Sequence, residues 1–174
     1  MKYPQAFIDY LIYFHSQRDF FECHEVLEEH WKSEEGGKEK VWVGFIQIAV
    51  ALYHYRRQNF EGAKRMITSA LRILEEEKNR VSDLGVNSEQ LLVDLPLIKN
   101  NIANKLPYRD YNIPIEDERL LHACTNQCKK ENLQWCIPSD FNDRYLINKH
   151  SLRNREDVIN ERVRQKELKN RKNS

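Results

Sequence analysis

Apolar residues recur along the first half of the chain at the three-to-four-residue spacing of helices rather than in the alternation of strands. Phe7, Ile8, Leu11, Ile12 and Phe14 predict a first helix over Pro4–His15. Asp19 is placed to cap a second, which ends near Gly36 and Gly37, residues suited to a helix terminus and turn. A third is expected from about Lys38 to Arg57; between Val41 and Tyr53 nearly every position is apolar, the mark of a helix buried all round. Asn59 can cap a fourth, Phe60 to about Lys78, with Ala63, Met66, Ile67, Ala70, Leu71 and Leu74 in line. Asn87 or Ser88 then opens a fifth that ends before Leu106.

After Tyr108 the pattern breaks. The stretch YRDYNIPIEDE is extended and proline-bearing and predicts a strap across the bundle. A short helix over about Glu116–Lys130 follows, then an irregular segment. From Arg153 onward a charged helix is expected to be mobile, because Val158, Ile159, Val163 and Leu168 are too sparse to bury much surface. The expected division is a helical bundle domain over residues 1–113, a strap and short helix over 114–148, and a basic helical tail over 149–174. The fold class is all-α, a compact bundle of about five helices. Within it LYHYRRQNFEGAKRMITSALRIL has the spacing of a tetratricopeptide hairpin, with small Ala51 and Ala63 at a close helix crossing. A single copy cannot build a solenoid, so the inference is limited to an antiparallel third and fourth helix.

Composition agrees with one helical domain: 174 residues, 40% hydrophobic and 32% charged, with only 5 Gly and 5 Pro to break helices. The net charge of +1 is uneven. Lys149–Ser174 holds 9 Lys/Arg against 4 Asp/Glu, or +5, which leaves −4 for the rest. The longest apolar run, Val41–Tyr53, is below the ~18 residues needed to span a bilayer. No signal-peptide pattern opens the chain, so a cytoplasmic protein with no membrane partner is expected. In that setting the 4 cysteines read as reduced thiols.

Candidate chemistry concentrates in DFFECHEVLEEHWK, Asp19–Lys32. His24, Glu28 and Trp31 stand at i, i+4 and i+7 and share one helical stripe that continues to Phe20 and Phe21. A histidine and a carboxylate at the edge of a core-facing stripe are costly unless they bond each other or a neighbouring helix. Glu22, Glu29 and Lys32 fall on another stripe, with Glu25 between. On the third helix Gln47 interrupts the apolar run, and His54 lies seven residues later on the same side. A polar cluster inside the bundle is therefore expected, Gln47 and His54 meeting His24, Glu25 or Glu28. Such a cluster can be a register-fixing network, a ligand or partner pocket, or a metal or catalytic site. HEVLE departs from the zincin H-E-x-x-H by carrying Glu28 in place of the second histidine. His24, Glu28 and His54 can still be drawn as three ligands of a divalent metal, with Glu25 as general base.

FFECHEVLEEHW followed by GFIQIAVALYHYRRQNFEGA resembles the domain-of-unknown-function family 309, small all-helical proteins with a His-Glu-x-x-Glu-x-x-Trp stretch and a Gln-containing apolar helix. The resemblance covers about Tyr10–Leu74. It implies a helical bundle with a shared site at His24, Glu25, Glu28, Trp31, Gln47 and His54, and brings no established activity.

His122, Cys124, Cys128 and Cys136 lack the spacing of a zinc knuckle, and Cys124 and Cys128 at i, i+4 suit a buried helix face equally well. The basic tail mixes acids with its cations and has no aromatic residue for base stacking, so nucleic acid is the less favoured partner. The leading function is a non-enzymatic interaction or small-ligand-binding domain with an unidentified protein or small-molecule partner and no firm cofactor. The competing class is a metal-dependent hydrolase. Elemental analysis of tag-free protein separates them. The leading reading expects no bound metal in wild type or in His24→Ala, whereas near-stoichiometric zinc, iron or manganese lost in the variant would favour the hydrolase.

Overall fold

The computed structural model describes residues 3–152 and 155–172. Among these the chain forms ten α-helices: α1 Gln5–Ile12, α2 Phe20–Lys32, α3 Lys40–Arg56, α4 Phe60–Glu76, α5 Lys78–Asp83, α6 Ser88–Ala103, α7 Glu118–Lys130, α8 Arg144–Ile147, α9 Lys149–Leu152 and α10 Arg155–Lys172. No strand forms among the described residues, and a single bridge pairs Val86 with Ile115. The all-α class stands, with more helices than the five expected in the bundle, the short helix near Glu116–Lys130 and the tail helix. One extra helix arises where the fourth stops at Glu76: Glu77 leaves the helical region, and α5 restarts to bury Val81 before Gly85 turns the chain at φ +85°. No described helix is long and apolar enough to cross a membrane.

The chain divides into two compact units, Met1–Asp140 and Phe141–Ser174. The second holds α8, capped by the Asp143 side chain, then α9 and α10. The expected tail-helix start at Arg153 lies outside the described residues, as do the side chains of Val158 and Ile159. Val163 and Leu168 are exposed.

In the first unit the expected caps form. Asp19, Asn59 and Asn87 each accept a backbone N–H three residues on, from Glu22, Gly62 and Gln90. α3 is the central helix, buried along most of its length, with α2 and α4 packed beside it. α4 runs antiparallel to α3, Tyr55 meeting Phe60 at one end and Gly44 meeting Leu74 at the other. A Cβ on Gly44 would lie 2.5 Å from Leu74 Cδ2, so this crossing needs glycine. The likeness to a tetratricopeptide unit remains one of hairpin spacing. The core between α1, α2 and α3 is aromatic: Phe7, Tyr10, Phe14, Phe20, Trp42 and Phe45 are buried, and Phe7 touches Trp42 and Phe45 at centroid distances of 5.7 and 5.2 Å. Each such side chain contributes roughly 1.5–3 kcal/mol through burial.

The first helix ends earlier than the apolar pattern predicts. After Ile12 the backbone widens into a π turn, Tyr13–Gln17, and Arg18 closes it in the left-handed region at φ 52°. The reason is His15. Its Nδ1 lies 2.7 Å from the Leu11 carbonyl, which can only accept, so Nδ1 carries the proton and Nε2 accepts the Ile113 N–H at 2.9 Å. Trp135 stacks on the ring at 4.5 Å, and the His15 carbonyl accepts the Ile137 N–H.

Arg18 extends the tie. Its guanidinium donates to the carbonyls of Ile137 and Tyr111 and to Asn112 Oδ1, each at 2.7 Å. Arg56, lying over the Phe20 ring, donates to the Arg18 carbonyl at 2.8 Å and to Ser139 Oγ at 3.1 Å. Asp110 accepts the Ser139 N–H and O–H and the Tyr108 hydroxyl. Burial alone would raise the Asp110 carboxyl; these bonds together outweigh it and hold the pKa below its ordinary value. The predicted strap is thus bolted to the turn between α1 and α2, and the first compact unit extends through Asp140.

Burial lowers the His15 pKa from 6.5 to about 4, against the smaller opposing effect of the Leu11 bond. Between those values the unfolded chain binds a proton that the folded chain refuses, so this contribution to stability is intact above pH 6.5 and is lost as pH falls toward 4. The expected loss is about 3 kcal/mol, measurable by urea unfolding across that range, and most of the slope should vanish in His15→Gln. A flat wild-type profile would show that His15 takes up its second proton as readily in the folded chain as in the unfolded one, which would overturn the role of Nε2 as a buried acceptor for Ile113.

Candidate functional site

α2 carries the motif, and its rotation about its own axis decides what each residue does. Phe20, Cys23, Leu27 and His30 are buried on the core line. His24, Glu28 and Trp31 therefore lie on the shoulder rather than within the core-facing stripe. The side chains of His24 and Glu28 are each 35% exposed. His24 Nε2 is 2.9 Å from Glu28 Oε2 and its Nδ1 is 3.3 Å from Glu25 Oε1. Glu28 also holds Lys32 at 2.8 Å, so the i, i+4 spacing joins to this stripe a lysine expected on another. The Lys32 bond is the main reason the Glu28 pKa is lowered; partial burial opposes it and His24 assists.

On α3 the positions left half-buried are Val43, Gln47, Val50 and His54, one line along the helix. Gln47 and His54 share the expected side, but the structure does not unite them with the α2 residues. No described hydrogen bond or ion pair joins either one to His24, Glu25 or Glu28. His54 Nδ1 is 3.3 Å from Asn59 Nδ2, at the turn into α4. The described bonds of His24, Glu25 and Glu28 form an ion-paired chain along α2, while Gln47 and His54 share a polar line on α3. The physical reason is economy: His24, Glu25, Glu28 and Lys32 satisfy one another at neighbouring helical positions, without crossing to α3. Among the described residues no group of three His, Cys, Asp or Glu side chains could hold a metal ion, so His24, Glu28 and His54 are not assembled as ligands.

Two motif atoms are left without partners. Trp31 Nε1 and Gln47 Oε1 are buried and make no hydrogen bond, one a donor on α2 and the other an acceptor on α3. Trp31 packs against the core from its half-buried position. Each unsatisfied buried group costs about 1–3 kcal/mol.

The second candidate set disperses. Cys124 and Cys128 face the core of the first unit, as small apolar residues would, while His122 and Cys136 are exposed. Cys128 Sγ lies 3.1 Å from Ser16 Oγ, and burial pushes the Cys124 thiol up to about 12. All 4 cysteines are free.

Sequence reasoning missed His15, Arg18 and Arg56. His15 is polar at the end of an apolar stretch, which signals burial, whereas Arg18 and Arg56 stand among polar neighbours and carry no such signal; their partners lie 38 to 119 residues away. It also gave His30 no role, although the i, i+3, i+7, i+10 line from Phe20 placed it in the core.

Because His24 and Glu28 are partly solvated, His24→Ala should change stability by less than about 1 kcal/mol in chemical denaturation. A loss of several kcal/mol would mean that His24 supports the fold through contacts beyond its two glutamates.

The family profile described as Domain of unknown function (DUF309) matches residues 7–66, which contain the whole α2 motif with Gln47 and His54. Over 173 residues the chain is 49% identical to the "Uncharacterized protein YpuF" of Bacillus subtilis (strain 168), an alignment covering 99% of this chain and 98% of that protein. No solved structure matches. The motif lies within the matched segment and the relative aligns from end to end, so the chain belongs to the DUF309 family.

Proposed function

We propose that this protein is a non-enzymatic binding domain whose receptive surface is the shoulder formed by α2 and α3, with His24, Glu25, Glu28, Trp31, Gln47 and His54 as its polar positions. The observation that carries the reading is the pair of orphaned buried atoms, the Trp31 indole N–H and the Gln47 carbonyl. Folded proteins rarely leave such groups unmet, and a donor and an acceptor on neighbouring helices complement a ligand that offers one of each, such as an amide. The ion-paired His24, Glu28 and Lys32 keep the adjoining rim charged and solvated. Glu25, drawn from the sequence as a general base, is engaged with His24 and has a structural part in this reading. Binding would proceed with a modest local opening, since both orphaned atoms are covered in the free protein.

A binding site of this kind works against stability. Gln47→Leu, which removes the unmet carbonyl and keeps the volume, should raise the melting temperature by roughly 2–4 °C. The same variant should abolish the response of the Trp31 indole N–H to N-methylacetamide in ¹H–¹⁵N spectra, with the Trp135 indole as internal reference. A lower melting temperature in Gln47→Leu would mean that Gln47 is bonded within the fold and that its role is packing.

A further inference from the structure

A second surface lies about half a turn around α2 from the motif. Two adjoining cavities, of about 290 and 200 Å³, run along the outer face of α1 and share Asp9 as a common wall. The first is bounded by Ala6 and Gln5 of α1, by Val26, Glu29 and His30 of α2, and by Ser33 just beyond it. The second continues past Ile12, Tyr13 and Gln17 to Gln127 and Glu131 at the end of α7.

Four features of this groove point to one ligand chemistry. Its charged side chains are the carboxylates of Asp9, Glu29 and Glu131, and neither cavity is lined by a lysine or arginine. Two of the acids are held by amides: Gln5 and Gln127 both donate to Asp9 Oδ1 at 3.0 Å, and Gln127 donates also to Glu131 Oε1 at 3.3 Å. The three carboxylates do not converge as a metal-holding group, so the negative charge is distributed along the groove rather than focused on one ion. Finally His30, only 8% exposed, lines the larger cavity, and its Nε2 is buried with no partner. An imidazole nitrogen without a partner can accept an N–H, and an ammonium group carries three.

We propose that this groove binds a linear aliphatic polyamine, with ammonium groups at Asp9, Glu29 and Glu131, and methylenes over Ala6, Val26 and Ile12. Spaced positive charges on an apolar chain match spaced carboxylates separated by apolar side chains, whereas a compact divalent ion would meet one carboxylate at a time. Gln5 to Gln17 covers twelve residue steps along the wall, roughly 18 Å at helical rise, long enough for an extended triamine. His30 supplies the one buried contact, and the prearranged amides reduce the ordering cost of binding.

The test is an NMR titration of the full chain with spermidine at ~150 mM NaCl, where non-specific counter-ion binding is screened. The expected result is saturable shifts confined to α1, Glu29–Ser33 and Gln127–Glu131, with a Kd on the order of 0.1–1 mM. n-Butylamine, with one ammonium, should bind at least about tenfold more weakly. Asp9→Asn and Glu29→Gln should each weaken spermidine binding about twofold to fivefold, and Glu75→Gln on the exposed face of α4 should leave it unchanged. Lack of saturation, equal affinity for n-butylamine, an equal loss in Glu75→Gln, or displacement of spermidine by equimolar MgCl₂ would each overturn the proposal. So would a lysine-rich peptide that shifts the same residues and is not displaced by spermidine. Because Gln47→Leu lies on the other surface, it should not alter spermidine affinity, and the two readings stand or fall separately.

Discussion

The first unit depends on a single imidazole proton. His15 is buried where only a neutral ring fits, and the ring has one donor for the Leu11 carbonyl and one acceptor for the Ile113 N–H. That pairing holds together residues 98 positions apart in sequence. It also opens the π turn after α1, and the left-handed Arg18 that follows presents its guanidinium to the strap and its carbonyl to Arg56. Three separate segments of chain therefore close on one short turn. The cost of burying two guanidinium groups and an imidazole is offset by their many charge-assisted or well-aligned bonds.

That turn is also the lead-in to α2, so it sets the helix's rotation about its axis. Once the rotation is set, neighbouring residues acquire different environments. His30 goes into the core against Trp42, at 4.9 Å and edge to face, while His24 goes to the shoulder among glutamates. Val26 and Glu29 turn outward to the groove along α1. A helix of thirteen residues thus presents a core line, a charged shoulder and a groove wall. The acidic, histidine-containing motif seen as one constellation in the sequence is divided among these three faces.

Polar exceptions in an apolar setting are where this fold departs from pure packing. Those in the strap network act as fasteners: the His15 ring and the Arg18 guanidinium meet partners, and Arg56 is held through Nη1 although its Nε is unmet. Trp31 Nε1, Gln47 Oε1 and His30 Nε2 are buried and unsatisfied. Fasteners and unmet groups look alike as residue types. They differ in whether a partner reaches them, and that difference separates structural polarity from polarity available to a ligand.

Much of the helical architecture was legible in the sequence because its causes are local. The apolar line of Phe7, Leu11 and Phe14, the all-round apolar run of α3, and the caps at Asp19, Asn59 and Asn87 act within a few residues, through periodicity and side-chain bonds to nearby backbone. The strap too was announced by its proline and broken pattern. The π turn, α5 and the division of the α2 motif were not legible, since each rests on a long-range partner or on a rotation of a few tens of degrees that periodicity leaves open. Of the candidate site, the sequence by itself determined which helices carry His24, Glu25, Glu28, Trp31, Gln47 and His54 and on which side of each helix they stand. Only the tertiary structure decided which of them meet. A helical repeat specifies an angle around one axis, whereas a contact between helices also requires their relative rotation and offset, and here those are set by the buried ties from His15, Arg18 and Arg56 to a strap encoded about a hundred residues from the first two.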